Sequence, residues 1–380
     1  MEKIIMPNQT ILIKPVSGSC NLNCDYCFYY DVMNHRAVKN YGFMTLESLE
    51  QIVIKSFQYA DQFVGFAFQG GEPTLAGLPF YEKLMEYIHK YNTRNIAVSL
   101  SMQTNGIAID REWAEFFKKN NFLIGISMDG PKEIHNLNRK DRSGEGSFLK
   151  VQRAVQILTH QGVEFNVLCV VTKDVAQHAT KVYQFYKRNR IQYIQFIPCL
   201  DDFDERQEVK SYTLLPEDYG KFLCNLFDLW YQDFKRGERI SIRMFDNILF
   251  MLLGEPPESC DMNGVCSANA VIEGDGSVYP CDFYVLDQYL LGNIHDHGFE
   301  ELKSCKVASD FVSSSNGMDA KCKGCKFLYL CRTGCRRHKV SNDQDTIGKN
   351  YFCSSYEMFY EYTLSRFREV AICLTTGKRR

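Results

Sequence analysis

Short apolar runs rich in β-branched and aromatic residues alternate along the chain with longer stretches of helical period. The runs that read as strands are Ile11 to Val16, Val64 to Phe68, Ala97 to Met102, Phe122 to Ser127, Phe165 to Val171 and Tyr193 to Ile197. Helical periodicity falls between them at about 47–59, 79–91, 110–120, 147–160 and 175–188, and again near 216–236. Strands that alternate with helices pair in parallel through crossover connections, so the pattern predicts an α/β fold, a partial (β/α)6 barrel of the TIM type. From Cys260 onward the alternation gives way to cysteines, glycines and short segments. The expected division is a barrel over 1–240 and a smaller module, ending in a helix, over 241–380. No solenoid-period repeat, low-complexity tract or long Pro- or Ser-rich linker interrupts the chain.

Composition narrows the class. A chain of 380 residues with 45% hydrophobic content can bury a full core, and a formal charge of -2 supports neither nucleic-acid binding nor a polybasic membrane role. The start MEKIIMPNQTILIKP has no apolar stretch leading to a small-residue cleavage site, and LFMLL at 249–253 is a run suited to a buried helix rather than a bilayer. The basic end GKRR reads as a frayed tail. The expected location is the reducing cytoplasm, where sixteen cysteines favour metal binding over disulfides.

In a parallel barrel, chemistry gathers where strands end and their following loops begin. Here those positions carry a cysteine triplet, then Gly70-Gly71-Glu72-Pro73, Gln103-Thr104-Asn105-Gly106, Ser127-Met128-Asp129-Gly130 and Pro198-Cys199-Leu200. The triplet Cys20, Cys24 and Cys27 has the spacing C-x3-C-x2-C. Three thiolates hold only three irons of a four-iron cubane, so one iron stays open, and an open metal position suits catalysis. A zinc site or three reduced structural thiols are the alternatives on spacing alone.

The triplet, with Tyr26 beside its last cysteine and Gly-Gly-Glu-Pro after the second strand, resembles the radical S-adenosylmethionine enzymes. In that superfamily the open iron chelates S-adenosylmethionine, and an electron cleaves the sulfonium bond to give a 5'-deoxyadenosyl radical. The resemblance implies that Gly70, Gly71 and Glu72 meet the cofactor, Tyr26 flanks adenine, Ser127 donates a hydroxyl, Arg139 pairs with its carboxylate and Leu200 touches the adenosine end. Each has a plainer reading, as turn glycines, loop polar residues or core.

Downstream, Cys260, Cys266, Gly276 to Cys281, Cys322, Cys325, Cys331, Cys335 and Cys353 resemble the SPASM extension, which houses two auxiliary 4Fe-4S clusters. The resemblance implies one cluster held by Cys260, Cys266, Cys281 and Cys335 and another by Cys322, Cys325, Cys331 and Cys353. A zinc ribbon over Cys322 to Cys335 is the alternative. Within this group the stretches FAFQGGEPTLAG, SMQTNG, SMDGPKEIHNLNRK and VYPCDFYVLD resemble the anaerobic sulfatase-maturating enzymes. That family oxidises a cysteine or serine of a sulfatase, in a C/S-x-P-x-R context, to Cα-formylglycine. By resemblance Asp282 is the base, an auxiliary cluster accepts the electron, and Tyr29, Gln69 and Gln103 lie near the substrate. The implied partners are an unfolded or nascent sulfatase polypeptide and a flavodoxin or ferredoxin-type reductant, with no nucleic acid and no membrane.

Five cysteines, Cys169, Cys199, Cys224, Cys305 and Cys373, fall outside these patterns and read as small apolar residues. The basic stretch Arg332 to Lys339 reads as solvated or as facing anionic clusters. Two other functions fit part of the pattern: a SPASM enzyme modifying another ribosomally made peptide, and a noncatalytic iron-sulfur electron carrier. Only 19 residues precede Cys20, too few for a folded leader-recognition module, and a carrier needs no Gly-Gly-Glu loop.

Overall fold

The structure is a computed structural model that describes residues 6–203, 209–339 and 348–376; the GKRR tail lies outside them. Its strands are β1 (Met6–Ile13), β2 (Ala60–Phe68), β3 (Ala97–Thr104), β4 (Phe122–Ser127), β5 (Phe165–Val171), β6 (Tyr193–Pro198), β7 (Ser241–Ile242), β8 (Ala270–Ile272), β9 (Ser277–Tyr279) and β10 (Gly292–Asn293). Helices follow β2 through β6, at Leu78–Tyr91, Arg111–Lys119, Phe148–Gln161, Ala179–Arg188 and Pro216–Lys235 among others. This is the α/β architecture that the alternation predicts.

Two compact units interleave along the chain. The first comprises 1–127, 139–165 and 267–312, and the second 128–138, 166–266 and 313–380. Compactness therefore divides the chain differently from the motif boundary at 240. The reason lies in the first unit, where β8 adds in parallel to β1, pairing Ile11 with Ala270 and Ile13 with Ile272.

In the first unit β1 pairs with β2, β2 with β3 and β3 with β4, all in parallel, and β9 and β10 extend the other edge antiparallel. Buried aromatic rings fill the space under the sheet: Phe68 lies 5.1 Å from Tyr81, which lies 5.5 Å from Trp113, and all three are in edge or tilted geometry. In the second unit β5, β6 and β7 run parallel. There the helix Cys353–Thr376 packs on Pro216–Lys235 through Phe227 and Phe367, whose rings are 4.5 Å apart.

Three of the departures of the observed elements from the sequence reading have a local cause. The first strand starts before the predicted Ile11 and ends at Ile13, because Pro15 has no N–H for a ladder and Ser17 takes a positive φ of 52°. The helix expected over 175–188 is two helices, Lys173–Gln177 and Ala179–Arg188. His178 breaks it by turning its ring nitrogen onto the Asp174 carbonyl at 2.8 Å. Of the LFMLL run, Leu249 is buried and Leu253 is 40% exposed, since the helix Arg243–Leu252 buries only its Phe245, Ile248 and Leu249 face.

Candidate active site

The loop after β1 carries the cysteine triplet, and its shape is fixed by its neighbours in the first unit. Gly71 and Glu72 donate their backbone N–H groups to the Ser17 and Ser19 carbonyls at 2.9 and 2.8 Å. A Cβ on Gly71 would stand 2.0 Å from the Ser19 carbonyl oxygen, and one on Gly70, at φ 112°, would stand 2.7 Å from that of Ser17. The two glycines are thus required by the approach of the cysteine loop itself.

Glu72 is turned inward and fully buried. One carboxylate oxygen accepts from the Thr74 N–H and from the hydroxyls of Thr74 and Thr104, and the other accepts from the Asn105 N–H at 2.8 Å. Burial pushes this carboxyl up, while the donated hydrogen bonds pull it back. Its side chain braces the loops after β2 and β3. The braced Asn105 reaches the cysteine loop, donating to Asn21 at 2.7 Å with its amide nitrogen 3.7 Å from the Cys20 sulfur. The Leu22 N–H also points at that sulfur, 3.4 Å away. Burial pushes the Cys20 thiol up to about 11, which marks a sulfur shielded from water.

Around this loop stand several of the expected cofactor contacts. Tyr26 is buried, with the Arg139 guanidinium over its ring at 5.4 Å. Gln103 donates to the Ser127 hydroxyl at 2.9 Å, so a residue assigned to substrate and one assigned to cofactor touch each other. Gln69 holds the end of β2 by donating its backbone N–H to Ile13 at 2.9 Å. Leu200 is half-buried in the second unit.

The most organised polar group in the first unit surrounds Asp282. The Tyr29 hydroxyl donates to Asp282 Oδ2 at 2.6 Å. Lys14, at 2% exposure, places Nζ 2.8 Å from Glu273 Oε1, 3.8 Å from Asp282 Oδ1 and 4.7 Å from the centre of the Tyr29 ring. Arg36 donates to the same Glu273 oxygen at 2.8 Å and is itself held by Ser17 and the Lys39 carbonyl. Asp282 Oδ1 is buried and has no hydrogen-bond partner among the described residues. Burial pushes the Asp282 carboxyl up, and the Lys14 charge and Tyr29 hydroxyl oppose that rise. Burial also pushes the Tyr29 hydroxyl well above the usual phenol range, so it stays a donor.

Sequence reasoning did not find Lys14, Arg36 or Glu273. A lysine and a glutamate at the ends of two apolar strands, in ILIKP and VIEGDG, were the available signal. Burial alone would raise the Glu273 carboxyl, yet the Lys14 and Arg36 cations override it and hold it at about 2. A carboxyl below its ordinary 4.5 contributes stability that is full above that value and is lost as pH falls toward 2. The melting temperature of Glu273→Gln is therefore expected to lie below that of the parent at neutral pH, by about 3 kcal/mol in stability. The gap should close as acid is added, and a gap constant with pH would refute the charge assignment.

In the second unit, Cys322, Cys325, Cys331 and Cys353 line one pocket together with Phe327, Leu328, Tyr356 and Tyr360. Four sulfurs against an apolar and aromatic wall fit a fully ligated cluster. Burial pushes the Cys331 thiol up to about 11, with Cys353, Cys322 and Cys325 adding to the rise. Cys335 belongs to another neighbourhood, where burial and then Asp261, Cys266 and Cys260 raise its thiol to about 12. Between Cys331 and Cys335 three successive residues, Arg332, Thr333 and Gly334, have positive φ of 46°, 69° and 71°. Of the basic stretch that follows, Arg337 is buried and donates to the Asp201 carbonyl, and Lys339 is buried near Cys266 and Cys335. Cys281 is half-buried in the first unit, beside Asp282. All sixteen cysteines are free of disulfides, and Cys169 and Cys199 are buried as small apolar residues would be.

Comparison with known proteins bears on both regions. The Radical SAM superfamily matches residues 15–185, and an iron-sulfur cluster-binding domain, SPASM, matches 260–326. A cysteine-type anaerobic sulfatase-maturating enzyme of Clostridium novyi is 50% identical over 366 residues, covering 96% of this chain and 98% of that one. A serine-type anaerobic sulfatase-maturating enzyme of Bacteroides thetaiotaomicron is 33% identical, over 93% and 88%. The solved structure of native anSMEcpe with bound AdoMet and Cp18Cys peptide superposes with a TM-score of 0.93 at 49% identity, over 97% of this chain and all of that one. The fold and the cysteine loop thus define a radical S-adenosylmethionine enzyme with a SPASM domain, whose cofactors are S-adenosylmethionine and multiple 4Fe-4S clusters. Within that class the chain belongs to the anaerobic sulfatase-maturating enzyme family.

Proposed function

We propose that the chain oxidises a cysteine or serine side chain of a sulfatase polypeptide to Cα-formylglycine, with Asp282 accepting the proton. The observation that carries this reading is the Asp282 carboxylate, oriented through Oδ2 by the Tyr29 hydroxyl and left with a buried Oδ1 that accepts no hydrogen bond and lies 3.8 Å from Lys14 Nζ. An acceptor oxygen in that state is suited to take a proton from a substrate thiol or hydroxyl. When bound, S-adenosylmethionine and the clusters supply hydrogen-atom abstraction and an electron sink.

The substrate side chain loses one hydrogen atom from Cβ, one electron, and one proton to Asp282. A serine yields the aldehyde directly, whereas a cysteine yields a thioaldehyde that water converts to aldehyde with release of hydrogen sulfide. Cys20, Cys24 and Cys27 would hold the cluster with the open iron. Cys322, Cys325, Cys331 and Cys353 would hold one auxiliary cluster, and Cys260, Cys266, Cys281 and Cys335 the other. Gly70, Gly71, Tyr26, Ser127, Arg139 and Leu200 would line the cofactor, with Glu72 acting on it through the loops it braces. Tyr29, Gln69 and Gln103 would meet the peptide. A flavodoxin or ferredoxin-type protein would supply the reducing electron, and the reducing cytoplasm suits sixteen cysteines with no disulfide among them. No helix among the described residues is long and apolar enough to cross a membrane.

The greater identity to the cysteine-type relatives supports cysteine as the better substrate. Incubation of the anaerobically reconstituted protein with matched peptides carrying Cys-x-P-x-R or Ser-x-P-x-R should give aldehyde and 5'-deoxyadenosine by mass spectrometry, faster with cysteine. Deoxyadenosine without aldehyde from either peptide would defeat the assignment of substrate.

A further inference from the structure

We infer that Lys14, anchored by Glu273, is a positioning residue that holds the Asp282 carboxylate in place for proton transfer. The inference rests on the reading of Asp282 as the proton acceptor and extends it to a residue that no motif marks. Lys14 stands at the end of β1, directly before the cysteine loop, and Glu273 stands at the end of β8, the strand that pairs with β1. The backbone N–H of Lys14 donates to the Ile272 carbonyl at 2.8 Å, so both ends of the ion pair start from adjoining, hydrogen-bonded strands.

From that base the lysine stem has little freedom. A Cβ placed on Gly70 would lie 3.2 Å from Lys14 Cβ and 3.4 Å from its Cε, and the Tyr29 ring covers the ammonium at 4.7 Å. The ammonium faces two carboxylates at unequal distances, 2.8 Å to Glu273 and 3.8 Å to Asp282. The short contact fixes the cation. The longer one attracts Asp282 Oδ1 without using that oxygen in a hydrogen bond, so the oxygen is held yet remains able to accept a proton. Arg36, which donates to the same Glu273 oxygen and is also buried, completes a balance of two cations and two carboxylates.

Replacing Lys14 and Glu273 together removes one cation and one carboxylate, so the net charge of the group is unchanged, while Arg36 keeps its hydrogen bonds to Ser17 and the Lys39 carbonyl. The test is Lys14→Met combined with Glu273→Gln, which keeps the formal charge around Asp282 unchanged. The as-purified double variant is expected to melt below the parent, since Arg36 loses its carboxylate partner, and to remain folded at the assay temperature. In turnover its aldehyde yield per 5'-deoxyadenosine should fall by about fivefold or more, with kcat reduced and KM for the peptide nearly unchanged. A parental aldehyde-to-deoxyadenosine ratio in a folded double variant would overturn the inference.

Should the double variant not fold, Glu273→Gln alone decides, measured below its own melting temperature. It leaves Lys14 charged but without its anchor, so the ratio must again fall, and a parental ratio overturns the inference. Asp282→Asn run in parallel separates the two ideas. If Asp282→Asn makes aldehyde normally, the base reading fails. If it does not, while the Lys14 variants keep the parental ratio, only the positioning role fails.

Discussion

Asp282→Asn should halt aldehyde formation while cofactor cleavage continues. Asparagine has the same shape and can still accept from the Tyr29 hydroxyl, so the 2.6 Å contact survives. What it cannot do is take up a proton at the position where Asp282 Oδ1 lies buried and unpartnered. Loss of a general base costs roughly a hundredfold to ten-thousandfold in rate. Aldehyde production is expected to fall by that factor, whereas 5'-deoxyadenosine should fall by less than about tenfold, because the carboxylate acts after hydrogen abstraction. Both products are measured by mass spectrometry in one reaction. Parallel loss of the two would move Asp282 from proton transfer to the integrity of the cluster beside Cys281, and equal activity would remove it altogether.

Gly71→Ala should be as damaging by a different route. The methyl group would need space now occupied by the Ser19 carbonyl oxygen at 2.0 Å, the Ser19 carbonyl carbon at 2.5 Å and the Gly18 carbon at 2.6 Å. All three are backbone atoms of the cysteine loop, so no side chain can swing away. Forced overpacking costs about 1–3 kcal/mol where neighbours can adjust, and more where they cannot. Here the cost falls on the contact that sets the loop, the Gly71 N–H to Ser17 carbonyl bond of 2.9 Å. The expected result is a protein that keeps most of its far-ultraviolet circular dichroism, yet loses iron at the first site and binds S-adenosylmethionine at least about tenfold more weakly, the equivalent of 1.4 kcal/mol. Full iron content and parental affinity would show that the loop can yield.

Much of the fold was legible because its signal is local. Phe122–Ser127 and Phe165–Val171 are strands with the bounds that their apolar runs suggest, and of the two helices between them Phe148–Gln161 follows its periodicity within a residue, whereas the short Lys132–Asn138 was not expected. The short strands β8, β9 and β10 were not legible, since two or three residues are too few to carry an alternation. The pairing of β8 with β1 joins Ile11 to Ala270, far apart in sequence, and only tertiary contact reveals it. The candidate site divides in the same way. Cysteine spacing and the Gly-Gly-Glu motif mark the loops, but they do not show that Glu72 faces inward or that the glycines accommodate Ser17 and Ser19. Lys14 and Glu273 escaped notice because each looks like an ordinary strand end until the other is beside it. Tyr29 and Asp282 were found separately, and their hydrogen bond joins them across 253 positions.

The run of left-handed residues between Cys331 and Cys335 bears on how iron is loaded. A C-x3-C spacing in a right-handed turn would leave both sulfurs available to the same metal, whereas Arg332, Thr333 and Gly334 send one toward Cys322, Cys325 and Cys353 and the other toward Cys260 and Cys266. Gly264 locks this geometry, since a Cβ there would strike the Arg332 carbonyl oxygen at 2.2 Å. Backbone handedness therefore directs the two thiols to different sets of cysteines. On the proposed ligand assignment, this turn keeps the two auxiliary sites from sharing a sulfur.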